Sequence, residues 1–152
     1  METITTYKGL DFKPVYECPY ASAYYNAALR MMLCVAKEEY IPIEEFKTIF
    51  LKMSDMLDEF PAKHLVFDKR KLGTFHQPSM EWYFSVWKPQ VKLKGLDSHY
   101  KLLPDADWFA KAVAAGKNDI YERYGTAFLD GISINYMDTL EEVIEELLSS
   151  VE

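Results

Sequence analysis

Cysteine is scarce in this chain: Cys18 and Cys34 are the only two among 152 residues. Two thiols far apart in sequence make no disulfide framework, and free thiols in a cytoplasmic protein are the expected state. Positive charge is also short, with 17 Lys and Arg against 24 Asp and Glu and a net charge of −7. An acidic surface repels phosphate backbones, so no nucleic-acid partner is expected. No apolar run reaches the roughly 18–20 residues of a membrane span, which argues against membrane insertion. The opening Met1-Glu2-Thr3-Ile4-Thr5 has neither a basic nor an apolar leader pattern, so export is not indicated. The G-x-S-x-G, G-x-G-x-x-G, G-x-x-x-x-G-K-(S/T), H-E-x-x-H and C-x-x-C patterns are all missing, so the chain is expected to be non-enzymatic. His64, His76 and His99 lack metal-ligand spacing, so neither a metal nor a cofactor is expected.

What is present is apolar and aromatic. The hydrophobic fraction is 49%, the charged fraction 27%, and the aromatics number 11 Tyr, 9 Phe and 3 Trp. That composition suits one globular domain spanning 1–152, with a core large enough to need no staples. Thr3 to Tyr7, Phe12 to Glu17, Tyr20 to Tyr25 and Leu29 to Ala36 read as strands. Asn26-Ala27-Ala28 turns the last two into a hairpin.

From residue 43 the period becomes helical. Phe46, Ile49, Phe50, Met53, Leu57 and Phe60 share one face, and Pro61 stops the element. His64 to Asp68 reads as a buried parallel strand, and residues 79–94 as a helix that Pro89 should kink. His99 to Leu103 is a further strand, followed by a helix over 105–115 ended by Gly116. Asp105-Ala106-Asp107 falls in that helix's first turn, where the dipole accounts for both carboxylates. Ile132 to Met137 is the last strand. The final helix carries Leu140, Val143, Ile144, Leu147, Leu148 and Val151 as a stripe, with Asp138 and Glu141 as a capping-box-like start. Alternating helices and strands imply parallel pairing with right-handed crossovers. The expected class is therefore α/β: a mixed, mostly parallel sheet, extended by N-terminal antiparallel hairpin strands and covered by helices. Phe46, Phe50, Leu57, Leu65, Phe67, Val113, Ile134, Val143 and Leu147 are the expected core.

Three features carry a resemblance. They are the turn Asp68-Lys69-Arg70-Lys71-Leu72 after a strand, the helix holding Trp82, Trp87 and Pro89, and the closing run Ile134-Asn135-Tyr136-Met137-Asp138-Thr139-Leu140-Glu141-Glu142. Together with the element order they resemble SpoIIAA-like, STAS-type small bacterial domains over roughly Tyr20 to Leu148. The resemblance implies a STAS-type fold and regulation by binding a protein partner. The phosphorylatable serine motif of those relatives is altered here, because Ser79 stands between Pro78 and Met80-Glu81 without the expected Asp and Gly.

Asp68, Lys69, Arg70, Thr74 and Ser79 form the candidate ligand or partner site, since open α/β sheets bind ligands beyond the carboxyl ends of their strands. Lys69, Arg70 and Lys71 could hold an anion, or Asp68 and Arg70 could brace the loop. Ser79 reads as a helix N-cap, a position that also suits a phosphate. Trp82 and Trp87 form a candidate aromatic face for a protein partner or a homodimer. The leading expectation is a regulatory binding module. The alternative is a carrier of a small apolar or anionic ligand, resembling lipid-binding SEC14-like domains.

Overall fold

A computed structural model describes residues 4–5 and 9–150. Strands β1 (Ile4–Thr5), β2 (Asp11–Glu17), β3 (Ala21–Asn26) and β4 (Met31–Ala36) precede helix α1 (Ile43–Met56) and β5 (His64–Asp68). Then come α2 (Gln77–Trp82), a π turn (Tyr83–Trp87), α3 (Lys88–Lys92), β6 (Ser98–Leu102), α4 (Asp107–Tyr124), β7 (Ser133–Met137) and α5 (Leu140–Ser150).

The seven strands lie in sequence order, β1 to β7. β1 to β4 pair antiparallel, and β4 to β7 pair parallel. Both the class and the mixed sheet match expectation. Thr3, Thr6 and Tyr7 of the first expected strand lie outside the described residues, as does Val151 of the last stripe. Leu29 to Ala36, equally composed of helix formers, is held extended from Met31 by pairing on both edges. Asn26 fixes the preceding turn: its Oδ1 accepts from Leu29 N at 2.8 Å and its Nδ2 donates to Asp11 O at 2.8 Å.

A sheet that always advances in one direction, with crossovers of one hand, must carry all those crossovers on one face. The core obeys this. Phe46, Ile49 and Phe50 of α1 pack with Tyr83 and Trp87 over Leu65 and Phe67. Against α2, α4 adds Phe109, Val113 and Ile120. Of the described helices, α5 alone covers the opposite face, where Val143, Ile144 and Leu147 meet Met31, Leu33, Val66 and Leu102. Eight of the nine expected core residues are buried, whereas Ile134 is half-buried because β7 is the sheet's edge.

Three local expectations are corrected. Gly116 does not end a helix: α4 runs through it to Tyr124. A Cβ at Gly116 would lie 2.9 Å from the Phe75 ring and closer still to Gln77 Oε1, so the glycine permits α4 to approach the start of α2. Asp105 lies before the helix, and only Asp107 sits in its first turn. The cap of α5 is shifted by one residue. Thr139 Oγ1 accepts from Glu142 N at 3.2 Å and donates to Glu142 Oε1 at 3.3 Å, so Thr139 and Glu142 replace Asp138 and Glu141.

Pro89 acts through an adjacent distortion. Lacking an N–H, it cannot bond the Ser85 carbonyl, and the preceding turn widens until Lys88 N reaches Tyr83 O five residues back. Tyr83, Phe84, Trp87 and Lys88 all point inward, with Met80 and Val91 on the same face.

Candidate functional site

Alternation along β5 sends Leu65 and Phe67 to the helix-rich face, and Lys69 continues the series just past the strand. On β6 the same rule sends His99 and Lys101 to that face, while Tyr100 and Leu102 enter the opposite core. Register aligns Cys34, Phe67, Lys101 and Tyr136 as one row across four parallel strands. Tyr83, Phe84 and Lys88 roof that row.

The result is a cluster of lysines inside an aromatic shell. Lys88 and Lys101 are 0% and 1% exposed, and Lys69 is 8% exposed. Lys101 Nζ stands 3.9 Å from the Tyr83 ring centre and 5.2 Å from that of Phe84. Lys88 Nζ stands 4.5 and 4.8 Å from the same two rings. Lys69 and Lys101 both approach Phe67, at 5.4 and 5.9 Å. Ring faces attract cations, but they do not replace a counter-ion in a dry interior. Among the described residues, the amines of Lys88 and Lys101, the Tyr83 hydroxyl and both nitrogens of His99 find no partner of hydrogen-bond geometry. The set is rich in donors and poor in acceptors.

Charge follows burial. Loss of water pushes Lys88 and Lys101 well below the ordinary lysine value, and the charges of Lys69 and Lys117 push both further. Burial and then the charge of Lys117 lower Lys69 to about 8. His99 is held well below its usual value by burial and by the two deep lysines. Burial raises Tyr83, with Cys34 and Tyr136 adding to the effect.

Lys69 also lines a cavity of about 50 Å³. Phe46, Phe67, Tyr83, Met80 and Phe109 supply its apolar walls, while Thr74, His76 and Ser79 bring polar groups. Of the five candidate site residues, Lys69, Thr74 and Ser79 therefore meet here. Asp68 and Arg70 do not line it. Side chains alternate, so Asp68 points to the other face of the sheet. There Arg70 grips it with Nε to Oδ1 at 3.0 Å and Nη2 to Oδ2 at 2.8 Å, and Arg70 N also donates to Oδ1 at 3.1 Å. Arg70 borders a separate groove of about 610 Å³ that also holds Asp105, Asp107 and Asp138. Its guanidinium is bridged to Asp68 and shares the groove with three further aspartates, an arrangement that braces the loop.

Ser79 is not the N-cap. The helix begins at Gln77 with His76 as its cap residue, which puts Ser79 inside the first turn. Its hydroxyl is 2.9 Å from His76 Nδ1, a contact that orders this turn beside the cavity. The aromatic face is corrected as well. Trp87 is fully buried and donates from Nε1 to Phe50 O and Ser54 Oγ, each at 2.8 Å. Trp82 is half-buried against Phe46.

Lys88 and Lys101 were missed by the sequence reading. The signal lay in Ser98-His99-Tyr100-Lys101-Leu102, because a strand buried on both faces must take its charged residues inside. Among the described residues, no group of three or more His, Cys, Asp or Glu side chains could hold a metal ion. Nor is any helix long and apolar enough to cross a membrane.

The fold and site define a class: an α/β domain with helices on both faces of a mixed sheet and a small cavity lined by one lysine, Lys69. Compared with known proteins, the chain matches no family model, no curated protein and no solved structure.

Proposed function

We propose that this chain is a non-enzymatic, cytoplasmic STAS-type module that holds a small organic anion with a short apolar tail. The observation that carries the reading is the cavity at Lys69, where one amine and two hydroxyl residues meet an otherwise apolar wall. Its volume of about 50 Å³ corresponds to roughly three to five water-sized positions. That suits a short-chain monocarboxylate better than an acyl lipid. The carboxylate would lie on Lys69 and the tail against Phe67, Met80 and Phe109. Tyr40 and Thr74, both exposed, stand at the mouth of the cavity. Element order supports the STAS-type assignment, and the two free thiols support a reducing compartment. A protein-partner role loses Trp87 as a contact, so the small ligand is the better supported of the two readings.

Titration calorimetry with butyrate and its uncharged analogue butyramide tests the proposal near neutral pH in CO2-free buffer. Butyrate should bind about ten-fold or more tighter than butyramide, the worth of one charge-assisted hydrogen bond. Lys69→Met should abolish that preference. Equal binding of the two compounds, or binding of neither, would overturn the reading.

A further inference from the structure

We propose that Lys69 is a carbamylation site: its amine takes up carbon dioxide reversibly, and the carbamate becomes the counter-ion of the buried lysines. Three observations carry this. The Lys69 side chain opens into a cavity with room for the three added atoms. Among the described residues no carboxylate pairs with it, the ion pairs of this region going to Arg70 and Arg123 instead. Behind the shared Phe67 and Tyr83 walls, Lys88 and Lys101 are buried with no acceptor for their amines.

Carbon dioxide suits these surroundings because it is small and uncharged, so it crosses apolar walls without shedding a tightly held water shell. In the reaction the neutral Lys69 Nζ attacks the carbon and a nitrogen–carbon bond forms. One carbon–oxygen π pair moves onto oxygen, and the proton leaving nitrogen passes to the Lys101 amine. Two neutral amines and one carbon dioxide thus become a carbamate and an ammonium, with no net change of charge. The new anion can accept hydrogen bonds from the Thr74 and Ser79 hydroxyls that line the same cavity. Burial favours the reaction by holding the Lys69 amine largely unprotonated at a pH only slightly above about 8. The carbamate does not require the ligand proposed above, but it fills the same room, so carbon dioxide should compete with butyrate.

Nuclear magnetic resonance of the full chain in carbon-13-labelled bicarbonate, at a pH near the Lys69 value of about 8, tests the site directly. Any carbamate on the chain's amino terminus gives a resonance common to all variants. A second carbamate resonance is expected in the unsubstituted protein and in Lys52→Met, whose residue is exposed. It should fall to background in Lys69→Met. If that variant does not fold, Lys69→Arg serves, because a guanidinium forms no carbamate. Only the common resonance in the unsubstituted protein overturns the proposal, and so does a second resonance that survives loss of Lys69. Butyrate titration in CO2-free buffer fails or succeeds independently, so failure of the ligand reading is seen separately from failure of the carbamate.

Discussion

The two faces of the sheet are built to different rules. Beneath α5 the interior is aliphatic, with Met31, Leu33, Val66, Leu102, Val143, Ile144 and Leu147 closing over one another. Polar groups on this face include Tyr100, whose hydroxyl donates to Glu146 Oε2 at 2.5 Å, and Asp68, which is held by Arg70, while His64 Nδ1 beside Tyr100 has no partner among the described residues. Beneath the other three helical segments the interior is aromatic and carries Lys88, His99 and Lys101 with no hydrogen-bond partner among the described residues. The same strand, β6, feeds both faces. The contrast is one of cost: one face is largely cohesive, and the other carries an electrostatic burden that cohesion alone does not require.

The largest expected effect sharpens the aliphatic side of that contrast. Leu147 is 4% exposed, and Leu147→Ala should cost about 2–5 kcal/mol in urea unfolding. A loss under about 0.5 kcal/mol would show that α5 is not docked as described. On the lysine face the sign should reverse. Lys101→Met replaces an unpartnered amine by an apolar chain of similar length and should raise stability by about 1–4 kcal/mol. A loss of stability in the same assay would mean that the amine has a partner in solution.

The third effect is a pH slope. Lys69 titrates at about 8 in the fold and near 10.5 when unfolded. Between those values the unfolded chain binds more protons, so stability rises with pH. The rise from this group amounts to about 3 kcal/mol, and the lowered values of Lys88 and Lys101 add the same sign at lower pH. Burial holds Tyr136 up to about 12, which works oppositely once unfolded tyrosines ionise. Urea midpoints in CO2-free buffer should therefore climb above about pH 8, then fall at more alkaline pH. Lys69→Met should flatten the climb. An equal slope in the variant would remove Lys69 as its source.

Much of this architecture was legible because hydrophobic period and turn chemistry agreed. The hairpin at Asn26, the helix carrying Phe46 and Phe50, and the stripe on α5 are cases of that agreement. What escaped reading depended on contacts between distant segments. Gly116 looks like a helix end until the start of α2 is seen pressed against it. Trp82, Tyr83, Phe84 and Trp87 cannot share one face, and the structure leaves Trp82 half-buried while the other three go inside, a choice the sequence alone does not make. Half of the candidate site was legible for a similar reason. Lys69, Thr74 and Ser79 follow a strand's carboxyl end, whereas alternation sends Asp68 and Arg70 to the other side.

The unbroken order of the seven strands has a consequence for synthesis. Each strand pairs with the one made just before it, so the sheet can grow at one edge as the chain emerges. Each of α1, α2–α3 and α4 covers its own share of one face as that growth proceeds. The other face has no such provision: Met31, Leu33, Val66 and Leu102 stay bare until residues 140–150 are made. A nascent chain halted at β7 would present a nearly complete sheet with a greasy underside. That stage of translation is where a holdase would find this protein and where premature termination would precipitate it.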